Sequence, residues 1–260
     1  MSQAIIAGLI KKSFSPQNIF VVDKHEEKLI ALQNKYAINT SLSLEEFISS
    51  TDVIFISVKP QTAKIACEQL KPLIANRNPL IISVMAGITL EKLHSWLGQH
   101  LSIIRTMPNT PALVQKGATG MFASTNVSEA QRKQAEDFLN AIGITAWLPR
   151  EQDLNIITAL SGSGPAYYFY FMECMRDIAI DLGLPHSIAD SFAIQTAYGA
   201  AELAHIHEKD VTELRQQVTS KKGTTEAAIK SMEANDIKKF FAEAMKAAIN
   251  RTITLSQEIN

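Results

Sequence analysis

The chain has 260 residues, of which 46% are hydrophobic and 20% are charged, a balance typical of folded globular proteins rather than disordered chains. Its 25 Lys and Arg residues are offset by 26 Asp and Glu residues, so it lacks the basic excess expected of a nucleic-acid-binding protein. No apolar run reaches the roughly 20 residues that span a bilayer. Two cysteines are too few for a disulfide framework or a zinc site. We therefore expect a cytoplasmic protein without metal, membrane or nucleic-acid partners.

Residues 1–150 carry the pattern of an α/β domain. From Asn18 to about Pro149, short runs rich in Val and Ile alternate with longer amphipathic runs, as in βαβ units around a parallel sheet. The predicted strands are Ile19–Val22, Val53–Val58, Leu80–Met85, Ser102–Thr106, Gly120–Ala123 and Ala146–Leu148. The predicted helices are Met1–Lys12, Glu26–Lys35, Leu44–Ser49, Thr62–Ile74, Leu90–Leu97 and Glu129–Ile142. We expect a Rossmann-type dinucleotide-binding domain.

The start of the chain departs from that fold. A Rossmann-type domain opens with a strand and a Gly-rich turn, whereas Met1–Lys12 reads as the helix that should follow them. The missing strand would be the central one, and without it the sheet has two unpaired edges. We expect that translation was assigned from an internal Met or that the chain was trimmed; a truncated, inactive protein is the alternative.

Residues 151–260 read as helix almost throughout. The main helices predicted are Ala166–Gly183, His186–His207 and Lys238–Glu258. Many of these helices are Ala-rich and apolar on more than one face, and about 110 residues of helix offer limited core in which to bury such faces. We therefore expect an all-helical domain that forms a homo-oligomer.

Five segments point to a function when they are taken together. They are Ser57-Val58-Lys59-Pro60, Val84-Met85-Ala86-Gly87, residues 105–111 with two prolines and an Asn, residues 159–167 with Ser-Gly-Ser-Gly-Pro-Ala-Tyr, and residues 218–228 with Ser-Lys-Lys-Gly-Thr-Thr-Glu. Taken alone, residues 218–228 fit two interpretations equally well: an anion-binding loop at a helix start, or the ordinary capped start of a helix. Together the segments resemble the pyrroline-5-carboxylate reductase family over nearly the whole chain apart from the first strand and turn.

The resemblance implies an NAD(P)H-dependent reductase that converts the cyclic imine 1-pyrroline-5-carboxylate to L-proline, the last step of proline biosynthesis. NADPH is favoured on family grounds, with NADH as the alternative. Asp23 would bond the ribose hydroxyls of NAD, whereas Lys24 would pair with the 2′-phosphate of NADP. The residues implied to contact the cofactor are Met1, Asp23, Lys24, Ser57, Val58, Lys59, Pro60, Val84, Met85, Ala86 and Asn109.

The same resemblance implies the substrate contacts. Ser220, Gly223 and Thr224 would hold the carboxylate, and Thr225 would hydrogen-bond the ring nitrogen. Glu208 is either a group that stabilises the iminium charge or relays a proton, or a solvated Glu at a helix end. Lys221-Lys222 stands where the family often has Pro-Gly, which puts the backbone of the turn in doubt. The family also implies a dimer through the helical domain, with a decamer of dimers left open.

Two rival functions remain. A β-hydroxyacid dehydrogenase shares the two-domain plan but typically uses a catalytic Lys on a helix of its second domain, with no hydroxyl-rich anion loop. A non-catalytic, truncated paralogue would keep only the helical surface and act as an oligomer partner.

Overall fold

The computed structural model describes residues 1–207 and 209–258. Their contacts divide into two compact units: the first contains Met1–Ser163 and the chain from Ala248 onward, and the second contains Gly164–Ala247. The boundary expected between residues 150 and 151 lies inside the first unit. An α/β unit and a helical unit confirm the predicted fold class.

The first unit holds the seven strands found in the described residues. The strands are β1 (Phe20–Val22), β2 (Asn39–Ser41), β3 (Val53–Ile56), β4 (Leu80–Ser83), β5 (Ile103–Met107), β6 (Gly117–Ala123) and β7 (Gly143–Trp147). The helices of this unit are α1 (Ser2–Lys11), α2 (Glu26–Tyr36), α3 (Glu45–Ile48), α4 (Ala63–Ile74), α5 (Leu90–Leu97), α6 (Glu129–Leu139) and α7 (Asp153–Ile157). A π-helix, Thr158–Gly162, continues α7.

The main sheet has five strands in the order β3-β4-β5-β6-β7. The strands β3, β4 and β5 are parallel, β6 is antiparallel to β5, and β7 is parallel to β6. The expectation of a wholly parallel sheet is therefore wrong at β6. Only residues 108–116 connect β5 to β6, and a parallel crossover needs about a dozen residues or more.

The strands β1 and β2 form a separate parallel pair. Within the described residues no strand is hydrogen-bonded between β1 and β3, as expected of a Rossmann-type domain without its central strand. The helix α1 packs against both sheets instead. Its Ala4 and Ile5 lie in a cluster with β4 and β5, whereas Ile6 lies in a cluster with β1, and Leu9 contacts both clusters.

The second unit consists of helices. They are α8 (Gly164–Asp181), α9 (His186–Ile206), α10 (Val211–Gln217), α11 (Thr224–Ala234) and the first half of α12 (Ile237–Glu258). The helices α8 and α9 pack together, yet large apolar side chains stay uncovered: Phe169 is 65% exposed and Phe192 is 68% exposed. Exposed apolar patches of this kind are typical of interaction surfaces.

Candidate active site

The carboxyl ends of β3, β4 and β5 carry most of the segments expected to bind the cofactor. Because these strands are parallel neighbours, residues 57–60, 84–87 and 107–109 follow them at one edge of the main sheet. Open α/β sheets bind ligands at this edge. Val58 is 38% exposed there, and the Val84 amide donates to the Ile56 carbonyl at 3.2 Å, which joins the first two segments.

The loop after β4 is built from small and buried residues. Met85 and Ile88 are buried in the core, while Ala86 is half-buried between them. Gly87 has φ = +76°, a conformation that favours glycine, and the backbone of Thr252 in α12 lies 3.7 Å from where a Cβ would be. This loop therefore has a fixed course and offers backbone rather than long side chains to a ligand.

A buried ion pair lies behind this loop. Arg105 Nη1 is 2.6 Å from Glu151 Oε1, and the side chain of Arg105 is only 8% exposed. The same oxygen accepts a hydrogen bond of 2.6 Å from the amide of Leu90, the first residue of α5. Burial lowers the pKa of the Arg105 guanidinium, and the nearby Glu151 opposes that shift. Arg105 falls within the family-like segment 105–111, but no role was predicted for Arg105 or Glu151.

Asn109 is buried and its amide is engaged within the chain. Its Nδ2 donates to the Ser161 carbonyl at 3.0 Å, and its Oδ1 accepts from the Ala118 amide at 2.9 Å. The side chain thus ties the loop after β5 to the π-helix and to β6. Any contact of Asn109 with a cofactor has to use its backbone, the second hydrogen of Nδ2 or the remaining lone pair of Oδ1.

The end of β1 carries Asp23 and Lys24. The carboxylate oxygen Oδ1 of Asp23 accepts from the His25 amide at 3.0 Å and lies 2.8 Å from His25 Nδ1. Burial by itself would raise the pKa of the Asp23 carboxyl, but the hydrogen bonds from His25 outweigh it and the pKa is lowered. Lys24 is exposed. His25 was not singled out, although an Asp that bonds the backbone two residues on is a common turn pattern.

The start of α1 suits an anion. Met1 is the N-cap of α1, and within the described residues the amides of Ser2 and Gln3 have no acceptor. Helix starts with free amides bind pyrophosphate groups in dinucleotide-binding folds. Free amides at α1, an acid and a base at β1, and a loop of small residues after β4 fit an NAD(P) molecule.

The proposed substrate loop forms a tight turn before α11. The Gly223 amide donates to the Ser220 carbonyl at 3.0 Å, and a Cβ on Gly223 would collide with Ser220 Oγ. Thr224 and Thr225 are the first two residues of α11 and are exposed. Within the described residues neither hydroxyl has a hydrogen-bond partner. The turn therefore brings Ser220, Gly223, Thr224 and Thr225 together.

The carboxylate of Glu226 reaches back into this turn. Its Oε2 accepts from the Lys222 amide at 2.7 Å, and that bond, followed by one to Lys230, lowers the pKa of the Glu226 carboxyl. Lys222 has φ = +61°, so it adopts the conformation for which glycine is favoured. Lys221 and Lys222 are exposed. Glu208, the other proposed catalytic residue, lies outside the described residues.

Across residues 1–207 and 209–258, no group of three or more His, Cys, Asp and Glu side chains is arranged to hold a metal ion. None of the helices in those ranges is both long and apolar enough to cross a membrane.

Comparisons with known proteins show the family of the chain. Residues 151–255 match the family described as pyrroline-5-carboxylate reductase dimerisation, and residues 1–87 match the family described as NADP oxidoreductase, coenzyme F420-dependent. The chain is 40% identical over 259 residues to the pyrroline-5-carboxylate reductase of Pseudomonas aeruginosa, with 100% of this chain and 94% of the relative covered.

Solved structures give the same result. A pyrroline-5-carboxylate reductase from Coxiella burnetii superposes with a TM-score of 0.94 at 38% identity, with 98% of this chain and 94% of that chain covered. A pyrroline carboxylate reductase from Plasmodium falciparum with NADP bound has a TM-score of 0.84 at 28% identity, with 98% and 94% covered.

Proposed function

Because the chain belongs to the pyrroline-5-carboxylate reductase family, we propose that it reduces 1-pyrroline-5-carboxylate to L-proline in the last step of proline biosynthesis. The observation that carries the proposal is the turn before α11, where two hydroxyls without internal partners stand at a helix start. A cyclic imine with a carboxylate needs a partner for its anion and one for its ring nitrogen. The turn offers both kinds of group.

In this proposal Ser220 and Thr224 hold the substrate carboxylate, and Thr225 hydrogen-bonds the ring nitrogen. Gly223 belongs to the same carboxylate site, but it shapes the turn, because its own amide already donates to the Ser220 carbonyl. Free amides at the start of α11 favour the anion because the helix dipole is positive there. The protein orients the ring, and NADPH supplies the hydride when it is bound. Glu208 is assigned to stabilise the iminium charge or relay a proton.

The cofactor residues are assigned along the same edge of the first unit. Met1 and the start of α1 hold the pyrophosphate, residues 57–60 and 84–86 line the nicotinamide side, and Asn109 supports the loop after β5. NADPH is the preferred form, because Asp23 is already bonded to His25 and Lys24 is exposed to pair with a 2′-phosphate.

The helical unit is assigned to dimerisation, and the family match over residues 151–255 supports this. A second copy would cover the exposed aromatic side chains of α8 and α9, and a decamer of dimers is the larger assembly to test. Because both cysteines are free, a reducing cytosol is the proposed location. The division at residues 150 and 151 is kept as the functional boundary between cofactor and substrate regions.

The first test follows the loss of NADPH absorbance with 1-pyrroline-5-carboxylate. It compares this chain with a version extended before Met1 by a strand and a Gly-x-Gly-Asn turn. Turnover in either form supports the proposal. If neither form turns over, the imine-reductase assignment fails and the non-catalytic oligomer partner takes its place; turnover of a β-hydroxyacid alone would support the dehydrogenase rival.

A second test separates the substrate loop from general damage. Thr225→Val keeps the shape of the side chain but removes its hydroxyl, so kcat should fall by on the order of a hundredfold if the hydroxyl serves the ring nitrogen. Thr212→Val is the matched control, because Thr212 is also exposed in the first turn of a helix, α10. Equal activity of the two variants would remove Thr225 from the site.

A further inference from the structure

The segment 151–162 touches two loops of the candidate cofactor site from behind. At its start, Glu151 bonds both Arg105 and the amide of Leu90. At its end, the Ser161 carbonyl accepts from Asn109, and a Cβ on Gly162 would lie 2.6 Å from the end of the Met107 side chain. One short segment is therefore attached to the loop after β4 and to the loop after β5.

The attachment at Leu90 fixes the loop of residues 84–89. The first amides of a helix lack intrahelical acceptors, so the Glu151 carboxylate satisfies a group that would otherwise be open. Its negative charge also suits the positive end of α5. At the other end of the loop, the Val84 amide bonds Ile56. With both ends held, the position of Ala86 and Gly87 depends on Glu151.

Arg105 keeps the Glu151 carboxylate in place. Its guanidinium is almost fully buried, and its Nε has no partner within the described residues, so Glu151 is the group that compensates the buried charge. The segment also contains the π-helix Thr158–Gly162. Single-turn π-helices are rare and occur frequently at functional sites.

We propose that segment 151–162 is a brace for the reactive end of the cofactor site, and that Glu151 is a positioning residue for hydride transfer. The proposal rests on the proposed function, because the loops at residues 84–87 and 107–109 are the ones assigned to the cofactor. Glu151 touches neither ligand in this scheme. It acts through the amide of Leu90.

The test uses Glu151→Gln, which keeps the size of the side chain but removes its charge. We expect kcat to fall by on the order of tenfold while KM for NADPH and for the imine changes less than about twofold, because misplacement affects the reaction geometry more than binding. Hydrogen exchange at the Leu90 amide should become at least about tenfold faster.

Asp153→Asn is the matched control. Asp153 lies in the same segment and also forms an ion pair of 2.6 Å, with Arg150, but it does not bond the loop after β4. It should leave kcat and the Leu90 exchange rate unchanged. If Glu151→Gln does not fold, Arg105→Lys takes its place, because it keeps the positive charge. This variant is expected to lower kcat with little change in KM, to a smaller degree than Glu151→Gln.

Three results would overturn the proposal: unchanged exchange at Leu90, faster exchange with unchanged kcat, or an equal loss in the Asp153→Asn control. Absence of turnover in every form would instead refute the proposed function. The exchange comparison would then still decide whether Glu151 fixes the loop.

Discussion

Replacing Lys222 by glycine should stabilise the protein, although Lys222 is an exposed lysine. The residue has φ = +61°, and a side chain with a Cβ costs roughly 1–2 kcal/mol in that region. Glycine avoids this cost but loses about 0.5–1 kcal/mol through its greater freedom in the unfolded chain. The net expectation is a gain of about 0.5–1 kcal/mol in the free energy of unfolding. The Lys222–Glu226 bond survives, because Lys222 donates through its backbone amide.

The assay is urea unfolding, with the midpoint rising at an unchanged slope. Lys222→Ala is the key control, since it removes the charge but keeps the Cβ, and it should leave the midpoint near that of the parent. Lys221→Gly should lower the midpoint, because Lys221 does not have a positive φ. The reasoning is refuted if Lys222→Gly does not raise the midpoint, or if Lys222→Ala raises it as much.

Three further outcomes are expected. Gly143→Ala should lower the free energy of unfolding, measured in urea, by about 3 kcal/mol or more, because φ is +152° and the new Cβ would overlap the backbone of the neighbouring strand. Gly164→Ala is the control, and it should leave the free energy of unfolding nearly unchanged because there is open space around Gly164. His25→Ala should release Asp23 and lower the ratio of kcat/KM for NADPH over NADH by about fivefold. The pKa of the Glu226 carboxyl is lowered in the folded protein, so its contribution to stability is present above the unfolded carboxyl pKa and is lost as pH falls through the folded pKa. Glu226→Gln should therefore make the free energy of unfolding depend less on pH in that acidic range.

The sequence predicts most elements because hydrophobic periodicity reports burial directly. The helix α5 has the predicted bounds, and β1, β3 and β4 each fall within their predicted ranges. The strand β2 was missed since Asn39-Thr40-Ser41 has no apolar residue, and its strand form depends on pairing with β1. Likewise, the direction of β6 follows from the length of a loop rather than from its own residues.

In the candidate site, too, some features could be predicted from the sequence and others could not. The segments that follow β3 and β4 lie at one edge because those strands are parallel neighbours, which the alternation of short apolar and longer amphipathic runs predicts. The Arg105–Glu151 pair joins residues 46 positions apart, and Glu151 lies 61 positions from Leu90. No local pattern marks such contacts. They arise only when the segment after β7 returns beneath the loops that follow β4 and β5.

The helix α1 explains how the first unit holds together without a strand between β1 and β3. Its apolar residues face both sheets, so burial of side chains replaces the backbone hydrogen bonds that a central strand would make. Burial is less directional than hydrogen bonding, because it does not fix register. The strand β1, which ends just before Asp23 and Lys24, is therefore linked to the main sheet through packing on α1. On the proposed assignment of Asp23 and Lys24 to the adenosine side of the cofactor, binding of that side should be more sensitive to packing around Leu9 than binding of the nicotinamide side.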